Sequence, residues 1–159
     1  MRTNDLFSKL GLFALSGALV LGSAACEDDP AGPDDDHAEP VSVRLMLGGQ
    51  EIAGATSAAS TGEIHLHPGE ETDHITVQFL DADGDVVSLD DDFYLEVDVE
   101  DEAVAEFEQD TPGEFGGHAH GVAEGVTTMT FKLMHGVVGS GHSDFTPWPI
   151  DVEVVDDAD

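Results

Sequence analysis

Seven of the eight histidines in this chain fall between residues 65 and 142: His65, His67, His74, His118, His120, His135 and His142. Two pairs, His65 with His67 and His118 with His120, have the spacing H-x-H. Alternate residues of a β-strand share a face and stand about 6–7 Å apart. Two imidazoles so placed can converge on one ion when a neighbouring strand adds a further ligand. Imidazole is the commonest metal ligand and suits zinc, copper and nickel. Further along, His135 is followed by His142 and Asp144 within one short stretch. Three or four imidazoles and a carboxylate are enough for a tetrahedral site. The expected ligands are therefore His118, His120, His135, His142 and Asp144, and the expected metal is Zn or Cu.

Other chemistries find less in the chain. Ser140 and Ser143 lie near histidine, but in a glycine-rich loop without the pattern of a nucleophile elbow. Asp81-Ala82-Asp83-Gly84-Asp85 invites a calcium reading. A calcium loop of the EF-hand kind needs ligands over twelve residues, with glycine sixth and a closing glutamate. Here glycine is fourth and no matching glutamate follows, so the stretch is expected to be a turn, and Ca is not an expected cofactor. No catalytic residue is expected, and the chain is read as a non-enzyme.

Positioning these histidines requires strands. Short runs of alternating apolar and polar residues, separated by turn residues, cover 41–47, 62–67, 74–80, 93–99, 115–123, 127–135 and 149–155, with a short apolar piece at 103–107. This is the signature of an all-β sandwich or barrel. The pair Gly48-Gly49 after 41–47 marks a hairpin. In the run 74–80, Ile75, Val77 and Phe79 share one face, and Phe79, Leu95, Phe131 and Ile150 are expected in the core. Trp148, between two prolines, is expected to pack there as well.

From residue 66 to 155 the pattern resembles the bacterial immunoglobulin-like domains of surface proteins. The resemblance is carried by ITVQFLDADGDVV, YLEVDVEDEAVAEFE, GVAEGVTTMTF and PIDVEV. It implies a seven-strand immunoglobulin-like Greek-key β-sandwich and a spacer, adhesive or binding role without catalysis. In that topology the start of 115–123 and the end of 127–135 meet at one pole, which gathers the five expected ligands. Two alternatives stay open. If Ala119, Gly121 and Ala123 face the core, His118 and His120 point outward, with His65, His67 and His74 as companions. Or the histidines are exposed strand residues without a metal.

The amino terminus addresses the protein. Residues 1–9 carry Arg2 and Lys9, residues 10–22 are apolar and uncharged, and Ser23-Ala24-Ala25 precede Cys26, the sole cysteine. Residues 1–25 read as a secretory signal, too short to span a membrane. Cys26 is placed to receive the lipid of a bacterial lipoprotein. The alternative is cleavage after Ala25 that leaves a free thiol. Residues 26–40 hold acids and prolines and little that is apolar, so they read as a disordered tether. The domain is expected over 41–155, with an acidic tail at 156–159. The expected location is the cell envelope, on the periplasmic or the cell-surface side.

The chain has 35 acidic residues against four lysines and arginines, a net charge of −31. Nucleic acid is excluded as a partner, because its binding rests on Lys and Arg neutralising phosphates. Docking on anionic lipid is disfavoured for the same reason, which leaves a lipid anchor as the route to the membrane. The expected partners are a metal ion and a cell-envelope protein or glycan.

Overall fold

The computed structural model describes residues 39–156, and the signal segment, Cys26 and most of the tether lie outside them. Ten strands follow one another: β1 (Ser42–Leu47), β2 (Gln50–Thr56), β3 (Ser60–Leu66), β4 (Ile75–Leu80), β5 (Phe93–Val99), β6 (Ala105–Glu108), β7 (Gly116–Gly121), β8 (Gly125–His135), β9 (His142–Phe145) and β10 (Ile150–Val154). Among the described residues there is no helix.

The strands form the two layers of a sandwich. One layer runs β2-β1-β4-β7-β6 and the other β10-β8-β5, with β9 added beside β8. All pairs within these layers are antiparallel. Strand β3 belongs to both. Ser60–Gly62 pairs with β2, and the rest of the strand pairs with β10 in parallel. Gly62 sits at the change-over with φ +70°, and a Cβ there would stand 2.2 Å from the Ile52 carbonyl oxygen. Only glycine passes that point. The connectivity of β3 to β8 and β10 is the expected Greek key, but the sandwich has ten strands rather than the expected seven: β1, β2 and β9 are added, and the β1–β2 hairpin lies between β3 and β4 in the sheet.

Period-two alternation builds the core, as read from the sequence. In β4, Ile75, Val77 and Phe79 are buried. Met129, Phe131 and Leu133 of β8, Ile150, Val152 and Val154 of β10, and Leu95 of β5 face them from the other layer. Phe79 meets Phe115 and Phe145 edge-on, at 6.1 and 6.2 Å, a favourable arrangement of ring quadrupoles. The Gly48-Gly49 hairpin forms, with positive φ at both residues. The 81–85 stretch is a turn in which the Asp81 carboxylate accepts the Asp83 and Asp85 amides.

Trp148 departs from expectation: it is 53% exposed. In the extended chain before β10, Pro147 and Ile150 point inward. Trp148 therefore points out, while its amide donates to the Thr56 carbonyl.

Candidate metal centre

His135 continues the inward row of β8 one step past Leu133, where the core ends. Its ring stacks on Phe93, its partner across β5, at 4.6 Å and 16°. Strand β9 returns along the other side of β8 with His142 opposite His135 and Ser143 opposite Met134. The register then shifts, so that Phe145 faces Leu133 and Asp144 is the extra residue. A bulge of this kind re-aims a side chain, and here it turns the carboxylate toward both imidazoles. Asp144 Oδ1 is 3.0 Å from His142 Nε2, and Oδ2 is 3.9 Å from His135 Nδ1. The three donor atoms lie within 4.8 Å of one another. Donors bonded to tetrahedral zinc at 2.0–2.1 Å stand about 3.3 Å apart. The Phe145 ring on Phe79 and the Tyr94 hydroxyl, which accepts the Gly141 amide at 3.2 Å, hold the hairpin in place.

The other two expected ligands lie elsewhere. Gly117, Ala119 and Gly121 are buried, so His118 and His120 face outward from β7. The pairing register decides their position. Gly116 and Gly117 pair with Thr76 and Ile75, the first residues of β4. Strand β7 then runs past β4 and hydrogen-bonds the 69–72 segment, with Thr72 donating to Ala119 and Gly121 donating to Glu70. Its end leads directly into β8. His135 sits at the far end of that eleven-residue strand, which is roughly 33 Å long at the usual rise. The structure thus brings His135, His142 and Asp144 together, and does not bring His118 and His120 to them.

Around β7 the histidines meet carboxylates. Glu108 and Glu106 on β6 stand opposite His118 and His120. His118 Nε2 is 3.7 Å from Asp110, and His120 lies 3.4 Å from Glu71 and 3.6 Å from Glu108. His74 is the one companion of the outward arrangement that joins them, its ring centroid 5.4 Å from that of His118. His65 lies instead between Glu63 and Glu153, at 2.9 and 3.5 Å. The His67 ring reaches the Val155 carbonyl at 2.7 Å.

The His118 imidazole is held above its ordinary value of 6.5. The largest cause is its Nδ1–H bond to the Thr72 carbonyl at 2.9 Å; partial burial opposes it, and Asp110 and Glu71 add to it. Sequence reasoning missed Glu71, Asp110 and Glu114 as neighbours of these histidines, because acids are everywhere in the chain. The hairpin of β6 and β7 was the available signal. Folding 103–108 back on 115–121 sets Glu108 and Glu106 across from the H-x-H pair.

No protein-family model matches the chain. No curated protein matches it. Among solved structures it is similar to the crystal structure of the S-layer protein SbsC domains 4 and 5, with 16% identity and a TM-score of 0.43 over 94% of this chain and 89% of that one.

Proposed function

We propose that the chain is an exported, lipid-anchored β-sandwich module of the cell envelope that binds a transition metal, zinc or copper, through His135, His142 and Asp144. One observation carries the reading: a cross-strand histidine pair and a bulged aspartate place two nitrogens and an oxygen within 4.8 Å of one another. Two imidazoles and one carboxylate leave a fourth position for water or for a ligand from a partner. The role is binding rather than catalysis.

A second reading, a surface or adhesion module without a metal role, draws on Trp148, whose exposed ring offers an amphipathic face to an envelope protein or a glycan.

The first reading is tested by calorimetric titration of the tag-free chain with Zn²⁺ near pH 7.5. Binding tighter than about 10 μM is expected, with one equivalent lost on changing His135→Gln and His142→Gln together. Asp144→Asn should weaken that equivalent by about tenfold or more. A double variant that binds as many ions as the native chain would overturn it.

A further inference from the structure

We propose that a second zinc site lies on the outward face of β7, formed by His74, His118, Asp110 and Glu114, and that an ion there staples the β6–β7 turn to the residue leading into β4. It shares no residue with the site on β8 and β9 and stands independently of it.

Three features prepare these side chains. The first is the His118 tautomer. Its Nδ1–H is engaged by the Thr72 carbonyl, which leaves Nε2 turned to Asp110, 3.7 Å away, where a bound ion would take the place of the Nε2 proton. Metal-bound histidines are held in this way, by a backbone carbonyl on the other nitrogen. The second is the seat of His74. Its ring lies over Gly116, where a Cβ would stand 2.4 Å from Cε1. The absent side chain is therefore the space the imidazole occupies. From there His74 Nε2 is 3.4 Å from Glu114 Oε1 and 3.9 Å from Asp110 Oδ2.

The third is the loop that carries the two carboxylates. The Gln109 amide donates to the Glu114 carbonyl at 2.7 Å and to the Leu95 carbonyl at 3.3 Å, and its oxygen accepts the Gly113 amide. Asp110 and Glu114 are thus presented from a braced turn, and Asp110 spans the two imidazoles with one oxygen toward each. The spacings of 3.4–3.9 Å are slightly wider than the roughly 3.3 Å between donors of tetrahedral zinc. The His74, Asp110 and Glu114 donors lie within 4.8 Å of one another, and His118, which meets Asp110 at 3.7 Å, would close on them as the fourth donor. Zinc fits this set better than calcium or magnesium, which take oxygen ligands.

The test starts from the chain carrying His135→Gln and His142→Gln, which lacks the first site. Zinc titration should still show one equivalent bound tighter than about 10 μM. Zinc should also raise its thermal midpoint, and the ¹⁵N resonances of the His74 and His118 Nε2 atoms should shift together. Adding His74→Gln should weaken that equivalent by about tenfold or more. Asp110→Asn, a change at an exposed loop residue that does not threaten folding, should do the same. Loss of all tight binding in the starting variant overturns the second site. So does retained binding that neither His74→Gln nor Asp110→Asn affects, or zinc that millimolar Mg²⁺ displaces, since that marks diffuse attraction to the acidic surface.

Discussion

His118 is better placed as a cation than as a neutral ring. The Thr72 carbonyl, and then Asp110 and Glu71, favour its protonated form against the cost of partial burial. A group whose value is raised on folding stabilises the native state below the unfolded value and loses that contribution as pH rises through the folded one. In a metal-free buffer with chelator, the urea midpoint of the native chain should therefore fall between about pH 6 and pH 8. The fall should be shallower in His118→Gln, which has no imidazolium for the Thr72 carbonyl, Asp110 and Glu71 to hold. Equal slopes in the two proteins would contradict the assignment. At the β8–β9 hairpin, Asp144 shows how position alone sets a residue's neighbours: it is the extra residue of β9 and lies beside both His135 and His142.

At the scale of elements, β3 holds the two layers together by serving both. Its path depends on Gly62, whose positive φ and contact with the Ile52 carbonyl exclude a side chain. Gly62→Ala should destabilise the domain by about 2 kcal/mol or more, from backbone strain plus the displaced β2 edge, measured by denaturant unfolding. A change within a few tenths of a kcal/mol would show that β3 can cross elsewhere. Strands β4, β5, β8 and β10 were legible in the sequence because each alternates over five or more residues. Strand β2 was not, since QEIAGAT has glycine and alanine where strong strand formers would stand. Strand β9 was not either. HSDF carries no periodic signal, and its pairing with β8 is a tertiary contact anchored by Phe145.

For the whole molecule, charge dominates. The chain carries a net charge of −31, and the folded domain repels itself. Its two cations among the described residues are already engaged. Arg44 donates to Gln78 at 2.8 Å. Lys132 lies against Asp98 and Glu96, held above its ordinary value chiefly by the Asp98 hydrogen bond against the effect of burial. Screening shortens from about 10 Å at 0.1 M salt to about 3 Å at 1 M. The thermal midpoint should accordingly rise by about 5 °C or more on going to 1 M KCl, on the order of 1 kcal/mol for a domain this size. A midpoint that falls or stays level would mean that repulsion is minor. The address is tested separately: the native protein should partition with the membrane fraction, and Cys26→Ser should release it. A wild-type protein found wholly soluble with a free thiol at residue 26 would remove the anchor.

The linear chain carries the identity of most strands, their inward faces and the order in which they connect. Alternation encodes those directly, since a side chain's face follows from its parity along the strand. It also marks the histidines as the residues to watch. Where the histidines meet is settled in three dimensions. Parity says which way His118 points, but not which part of β4 it stands beside. That offset is fixed by β7 pairing with the start of β4 and with the 69–72 segment. It sets His118 and His120 beside the 69–72 segment and the acids of β6, apart from the β8–β9 hairpin that carries His135. The bulge at Asp144 is of the same kind. One unpaired residue, invisible in a pattern of hydrophobicity, sets the carboxylate between two imidazoles because β9 must both pair with β8 and bring Phe145 onto Phe79.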